Sequence, residues 1–151
     1  MGEQKKVNKE EVITVMNEHR PEFLKMLNCE ILDMDMVHHT CTMEFDVAHQ
    51  FCHSWNIIQG GFITAMLDSV SSHAVFTKDE KITNVFTLEL KVSFFAPSLA
   101  GKVKAVGRIE KSSYKTAFVS ADLYNSAEER TANLTATAKI VYDQSKSFHK
   151  T

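Results

Sequence analysis

The chain has 151 residues and a formal net charge of -2, with 44% hydrophobic and 24% charged residues. This length suits one domain with a buried core, and the near-neutral charge argues against binding to nucleic acid or to an anionic membrane surface. The sequence contains no run of about 18 apolar residues, the length that a membrane-spanning helix needs. The polar N-terminus has no apolar segment behind it, so we expect no secretory signal and a cytoplasmic protein.

The three cysteines are odd in number and irregular in spacing: Cys29, Cys41 and Cys52. This pattern indicates reduced thiols rather than a disulfide framework, as in a cytosolic protein. Because the cysteines form no C-x-x-C pair, we expect no metal site. Two prolines and five glycines leave no obvious linker or repeat, so the sequence predicts one domain over residues 1–151.

An N-terminal helical segment is predicted over about residues 8–27. Asn8 suits the N-cap, and Glu11 three positions later gives a capping-box-like pattern. Apolar residues then recur at helical spacing. Pro21 breaks or restarts the helix, so a second short helical piece is expected after it.

After this segment the hydrophobic period changes to two. Apolar and polar residues alternate from Cys41 to Val47, as in a half-buried strand, and residues 29–37 are its predicted antiparallel neighbour. A loop over about 48–59 leads to a helix at 60–77 that is apolar on most sides and therefore buried. Four further strands are predicted at about 83–95, 101–112, 115–126 and 131–143. Runs of strands without intervening helices favour an α+β fold, with a long antiparallel sheet wrapped around one central helix.

The predicted central helix carries two glycines at its start, Gly60 and Gly61, and one carboxylate inside it, Asp68. Glycines at a helix N-terminus leave backbone N–H groups approachable, and those groups with the helix dipole suit a developing oxyanion. A carboxylate in an apolar run is costly to bury, which points to a functional role. The alternative is a buried helix whose aspartate is hydrogen-bonded for structural reasons.

The spacing of these groups indicates a site shared between chains. Asp68 follows Gly61 by seven residues, so both lie on one helix face but about 10 Å apart along the axis. One reacting carbonyl cannot touch both groups of the same helix. A site that used both would take the amide from one chain and the carboxylate from another.

Three stretches of the sequence together carry a family resemblance: the turn Gln59-Gly60-Gly61 with Asp68 seven residues on, the segment Lys91–Pro97, and the segment Gly107–Phe118. They resemble the hotdog-fold acyl-CoA thioesterases, and within the 4-hydroxybenzoyl-CoA thioesterase superfamily the phenylacetate-pathway (PaaI-like) branch. That branch opens its central helix with His-Gly-Gly. The resemblance implies a hotdog core over about residues 29–143, and the hydrolysis of acyl-CoA thioesters to free acid and CoA without a cofactor.

The resemblance also implies roles for residues near the helix start. The Gly60 N–H, alone or with that of Gly61, would polarise the thioester carbonyl. Asp68 of the partner chain would act as general base on water, or as a nucleophile that forms an anhydride. Thr87 falls where the family often has a serine or threonine that orients the water. Gln59 replaces the family's histidine, and its amide can still donate a hydrogen bond to a carbonyl although it cannot titrate.

Further substrate contacts are expected on the same basis. Three residues would help to wall the acyl pocket: Phe62, Leu67 and Phe86. His53 falls where the family often has an asparagine that supports the turn. Within a loose basic set on the middle strands, Arg108 and Lys111 are the residues that we expect at the phosphates of CoA.

Two alternatives to hydrolysis stay open. Because Gln59 and His53 depart from the family pattern, one alternative is a non-catalytic hotdog module that binds acyl-CoA. The other is an enoyl-thioester hydratase on the same fold, which would use an Asp–His or Glu–His pair that we do not find near the helix. Hotdog proteins generally pair two sheets edge to edge, so the resemblance implies a homodimer at least, with a homotetramer favoured.

Overall fold

The computed structural model of the protein describes residues 8–143. The predicted N-terminal helical segment is confirmed as two helices, which are α1 (Lys9–Glu18) and α2 (Glu22–Met26). Pro21 separates them, as predicted. The Asn8 side chain caps α1 by accepting a hydrogen bond from the N–H of Glu10 at 3.0 Å. The capping bond thus goes to Glu10 rather than to Glu11.

The strands confirm the α+β class, with an antiparallel sheet and one long helix. In chain order the elements that follow α2 are β1 Cys29–Asp35, β2 Thr40–Val47, β3 Cys52–Ser54, β4 Ile57–Ile58, α3 Gly60–Phe76, β5 Ile82–Phe94, β6 Gly101–Ser112, β7 Thr116–Tyr124 and β8 Arg130–Tyr142. Six strands form an antiparallel sheet in the order β1-β2-β6-β7-β8-β5, and β3 pairs with β4 in a separate hairpin. None of the helices described is long and apolar enough to cross a membrane.

The segment predicted as a loop over 48–59 is more ordered than the sequence indicated. It contains a short 3-10 turn at His49–Phe51, and then the β3–β4 hairpin. The hairpin is tied to the segment after β5, because the N–H of Ile58 donates to the Ser98 carbonyl and the N–H of Ala100 donates to the Asn56 carbonyl, both at 2.8 Å. Local periodicity could not reveal this pairing, since the two partners are about 40 residues apart in sequence.

The central helix α3 packs on one face of the six-stranded sheet. Side chains alternate between the two faces, so that on β6 Ala105 is buried towards α3 while Lys104 is exposed. Gly107 marks a close approach of the two layers, since a Cβ at this position would lie 2.4 Å from the carbonyl oxygen of Val70 on α3. A residue without a side chain is therefore required where the helix backbone crosses β6.

Strand β5 forms one edge of the sheet and is 13 residues long. Four of its large apolar side chains are exposed: Phe86, Leu88, Leu90 and Phe94. Within residues 8–143, no further strand pairs with its outer edge. A long apolar edge of this kind is one that proteins normally cover.

Candidate active site

The start of the central helix leaves one backbone donor free. Gln59 is the N-cap of α3, and its Oε1 accepts a 2.7 Å hydrogen bond from the N–H of Gly61. The N–H groups of Phe62 and Ile63 bond to the Gln59 carbonyl. The N–H of Gly60 meets no acceptor within residues 8–143. Of the two glycine amides considered from the sequence, that of Gly61 is occupied and that of Gly60 is open.

The same hydrogen bond orients the Gln59 side chain. A backbone N–H can only donate, so the amide atom that faces Gly61 is the oxygen. The Nε2 group of Gln59 must then point away from Gly61, with two N–H bonds to offer. The helix start can therefore present a side-chain donor next to the backbone donor of Gly60.

A pocket of about 430 Å³ lies beside Gly60, and its walls are mostly apolar. The larger apolar side chains in its lining are those of Ile57, Ile58, Ile63, Phe94, Phe95 and Pro97. Phe94 lies closest to the helix start, because a Cβ at Gly60 would be 3.2 Å from its Cζ. This arrangement suits an apolar chain or ring next to the open N–H, with little room for a side chain at position 60.

Asp68 lies two turns further along α3, bonded to the edge strand. The Thr87 hydroxyl donates a 2.6 Å hydrogen bond to Oδ1 of Asp68. Thr87 sits on β5 opposite Ala138 of β8, on the sheet face that packs against α3. Asp68 is partly exposed rather than fully buried, so its carboxylate carries less of the burial cost that the surrounding apolar run indicated. This bond fixes one carboxylate oxygen and leaves Oδ2 able to accept from another donor.

The two candidate groups, the Gly60 N–H and the Asp68 carboxylate, are not brought together within one chain. The pocket beside Gly60 is not lined by Asp68, and the two residues are separated along the helix axis by about 10 Å or more. Asp68 instead lies on the stripe of α3 that the sheet leaves partly open, together with Gly61, Ala65 and Ser72. This open stripe is next to the exposed edge strand β5.

None of the three residues expected to wall the acyl pocket lines the cavity beside Gly60. Phe62 is partly exposed and packs edge-on against Phe51, with ring centroids 4.9 Å apart. Leu67 is fully buried in the core. Phe86 is exposed and pairs with Lys139, on the sheet face away from α3.

The pocket walls that the sequence analysis missed come largely from one segment. Phe94 and Phe95 lie in Lys91–Pro97, a stretch that carried the family resemblance but was given no role in the site. Two consecutive phenylalanines, one residue away from Pro97, were the signal available in the sequence. The strand register was needed to assign a role to this pair, because only Phe94 continues the inner face of β5.

The remaining predicted contacts are spread over two regions. His53 is exposed at the rim of the pocket beside Gly60, with its Nδ1 2.9 Å from the Ser54 hydroxyl. Arg108 is on the outer face of β6, where its guanidinium donates to Asp122 at 2.7 Å and to Ser120 at 3.0 Å. Lys111 is exposed further along β6. Neither of these two cations lines the pocket.

Arg108 belongs to a compact charge network. Burial of Asp122 acts to raise its pKa, but hydrogen bonds from Arg108 and Asn133 and the charges of Arg108 and Arg130 outweigh burial, so its pKa lies below the ordinary value. Some of the N–H donors of Arg108 are therefore already used within its own chain and are not free for a phosphate. The structure thus gives Arg108 a structural partner, whereas Lys111 has no ion pair or side-chain hydrogen bond to any other residue between 8 and 143.

A larger pocket of about 580 Å³ lies on the outer sheet face and is lined by Glu44, Lys102, Lys104 and Tyr124 among others. It contains neither Gly60 nor Asp68. The sheet separates it from α3, because Lys102 and Lys104 alternate with inward-facing residues of β6. Among residues 8–143 no group of three or more His, Cys, Asp or Glu side chains could hold a metal ion.

A sequence model of the thioesterase superfamily matches residues 56–132, which is just over half of the chain. The chain belongs to the thioesterase superfamily. The matched region starts at the β3–β4 hairpin and includes the helix start, Asp68 and Thr87. A sequence comparison with curated proteins found no match.

Solved structures of other proteins share the fold. The phenylacetic acid degradation-related protein of Ralstonia eutropha JMP134 superimposes with a TM-score of 0.76 at 25% identity, over 84% of this chain and 98% of that one. The Escherichia coli PaaI protein gives 0.76 at 14% identity, over 86% and 91%. A thioesterase from Haemophilus influenzae gives 0.76 at 16% identity, over 97% of each chain.

These similarities confirm the hotdog fold and the resemblance to PaaI-like thioesterases. The long helix α3 is the central helix of that fold, and the six-stranded antiparallel sheet is its wrapping layer. Membership of the superfamily supports thioester hydrolysis as the general activity of the protein.

Proposed function

We propose that the protein hydrolyses acyl-CoA thioesters to a free acid and CoA, using water and no cofactor. The observation that carries this proposal is the 2.6 Å hydrogen bond from Thr87 to Asp68, in a chain of the thioesterase superfamily. A thioester is already activated, so an oriented carboxylate and a set of oxyanion donors suffice for its hydrolysis. Both are available on α3 and on the turn before it.

The open N–H of Gly60 is the proposed main donor to the thioester carbonyl. It lies at the positive end of the α3 dipole, where developing negative charge on the carbonyl oxygen is stabilised. Nε2 of Gln59 is the proposed second donor, because its Oε1 is committed to Gly61. Gly61 then acts by orienting Gln59 rather than by contacting the substrate.

Asp68 of the partner chain is the proposed group that acts on the carbonyl carbon. As a general base its Oδ2 takes a proton from water, the resulting hydroxide adds to the carbon, and the tetrahedral intermediate expels the CoA sulfur, which takes the proton back. As a nucleophile it would add to the carbonyl carbon and expel CoA as its thiolate, leaving an acyl anhydride. Water would then cleave the anhydride to the free acid and the Asp68 carboxylate, with a proton from that water passing to the thiolate. In both routes Thr87 holds Oδ1 and so sets the direction of the free oxygen.

The proposed assembly is a dimer formed along β5, with a tetramer built from two dimers. Edge strand β5 offers 13 residues of backbone for pairing, and its Leu88 is 62% exposed. The open stripe of α3 lies next to this edge and would face the partner. Such a dimer would place the Gly60 of one chain opposite the Asp68 of the other, which one chain cannot do alone.

A non-catalytic acyl-CoA-binding module is the second candidate. It is favoured by Gln59, which stands where the family usually has histidine, and by His53 at the pocket rim. Such a module would bind acyl-CoA in the pocket beside Gly60 without turnover. Only a rate measurement separates it from the hydrolase.

The test is thiol release from acyl-CoAs with short, medium, long and aromatic acyl groups. Wild-type protein should release CoA from at least one of them, and Asp68→Asn should lose about 100-fold or more of kcat. Asp46→Asn, at an exposed position on β2, is the control for a change of charge and should keep the wild-type rate. Binding without turnover by the wild type would favour the second candidate, and neither binding nor turnover would reject both.

A further inference from the structure

The tip of the β3–β4 hairpin carries the one tryptophan of the chain, Trp55. Its side chain is 86% exposed, and its backbone has a φ of 46°, in the left-handed region that bulky residues rarely adopt. The hairpin is not free to move, because Asn56 and Ile58 are hydrogen-bonded to the segment after β5. An indole is therefore held out in solvent on a fixed backbone, at a conformational cost.

The hairpin also leads from Trp55 directly to the proposed oxyanion donor. Ile57–Ile58 is strand β4, and Gln59 remains extended at φ -64° and ψ 136° before the helix starts at Gly60. Because Trp55 and Asn56 form the turn of the hairpin, the distance from Trp55 to Gly60 is shorter than the roughly 16 Å that five fully extended residues would span at about 3.3 Å per residue. Ile57 and Ile58, which lie along this path, both line the 430 Å³ pocket.

A CoA thioester is long enough to span this distance. In that substrate a pantetheine arm of comparable length separates the reacting thioester from the adenine nucleotide. If the carbonyl is at the Gly60 N–H and the acyl group lies against Ile63 and Phe94, the pantetheine arm runs along Ile57 and Ile58 of the same pocket, and the nucleotide emerges near the hairpin tip. An exposed indole is the side chain best suited to stack on a purine.

We propose that Trp55 is a substrate-binding residue that stacks on the adenine ring of CoA. This inference rests on the proposed function, and it names the part of the substrate that the hairpin recognises. Trp55 takes no part in the chemical step. Its effect is on the binding of substrates that carry the nucleotide, and it is indifferent to the acyl group.

The first test uses the emission of Trp55, which no other tryptophan obscures. Wild-type protein is titrated with CoA, with adenosine 3′,5′-bisphosphate, and with pantetheine, while calorimetry measures binding independently. CoA and the bisphosphate should quench or shift the emission, and pantetheine should not. CoA that binds without changing the emission would overturn the inference. A response to pantetheine but not to CoA or the bisphosphate would also overturn it. The same holds if the change in emission equals that produced by diluting the protein with buffer alone.

The second test compares two carriers of the same acyl group, CoA and N-acetylcysteamine, which lacks the nucleotide. Trp55→Ala should raise KM for acyl-CoA about tenfold relative to its change for the N-acetylcysteamine thioester, since stacking on one base carries about that much affinity. The kcat for acyl-CoA should change little. Trp55→Phe keeps an aromatic face and should recover most of the affinity.

The failures of the two proposals are distinguishable. Wild-type hydrolysis with equal effects of Trp55→Ala on both carriers would reject the stacking role and leave the hydrolase intact. No hydrolysis of any thioester and no calorimetric binding of CoA would reject the proposed function, and the stacking role with it. Calorimetric binding of CoA with quenched emission but no turnover would support the stacking role and reject only the catalytic activity.

Discussion

The Thr87 hydroxyl donates a 2.6 Å hydrogen bond to Oδ1 of Asp68, and so joins the exposed edge strand of the sheet to the open stripe of the central helix. The two residues are 19 positions apart in sequence. Because Thr87 sits on the strand that is proposed to pair with a partner chain, the orientation of the carboxylate is coupled to the geometry of that edge.

Replacing Thr87 by valine should lower kcat about 10- to 100-fold, because a hydrogen bond to a charged group contributes about 1.5–3 kcal/mol. Valine keeps the shape of threonine and removes the donor. Thr87→Ser restores the hydroxyl and should recover most of the rate. Steady-state thiol release measures both variants. Equal rates for Thr87→Val and wild type would show that the bond is structural only.

Replacing Gly60 by proline should lower kcat about 100-fold or more, because it deletes one oxyanion donor. Proline is compatible with the first position of a helix, and Gln59 already has the extended conformation that a residue before proline needs. Gly60→Ala is the matched control, since it adds a Cβ near Phe94 but keeps the N–H. Alanine should stay within about tenfold of wild type; an equal loss in both variants would assign the effect to crowding against Phe94.

A mixture of two inactive variants tests whether the site is shared between chains. Asp68→Asn and Gly60→Pro, unfolded and refolded together, should regain about a quarter of wild-type activity, because about half of the dimers are mixed and each mixed dimer has one intact site. The variants refolded separately are the control. Recovery no greater than the sum of the two separate rates would place both groups in one chain.

Replacing Gly107 by alanine should destabilise the protein by about 1–3 kcal/mol, because the new Cβ would overpack the helix–sheet contact. The added carbon would lie 2.4 Å from the carbonyl oxygen of Val70, which is backbone and cannot rotate away. Urea unfolding followed by circular dichroism measures the change. Lys104→Ala, on the outer face of the same strand, should change stability far less. A Gly107→Ala protein as stable as wild type would mean that α3 moves freely on β6.

His73 should make the stability of the protein sensitive to mildly acidic pH. Burial lowers the pKa of this histidine from its ordinary value, despite the bond to the Ser69 carbonyl at 2.7 Å. The unfolded chain then binds a proton below about pH 6.5 that the folded chain does not, so stability is complete above that pH and is lost as the pH falls. The drop in Tm from pH 7.5 to pH 5.5 should be smaller in His73→Gln than in wild type. An identical drop in both proteins would contradict this assignment.

Much of the architecture could be read from local patterns. Alternation between Cys41 and Val47 predicted a strand, and the apolar run after Gly60 predicted a buried helix, because burial on one face imposes a period of two or of 3.6 residues. The β3–β4 hairpin escaped prediction, since its strands are two or three residues long and are held by a distant segment.

The candidate site also has one part that local sequence predicted and another that depended on contacts between distant segments. The sequence by itself determined the helix start, with Gln59, Gly60 and Asp68 at fixed positions along one axis, since a helix sets the spacing of its own residues. Only the tertiary structure decided that Thr87 bonds Asp68, that Gln59 occupies the Gly61 amide, and that Phe94 lies beside Gly60. Strand register and hydrogen-bond partners arise from contacts between distant segments, and a one-residue shift in register turns every side chain to the other face of the sheet.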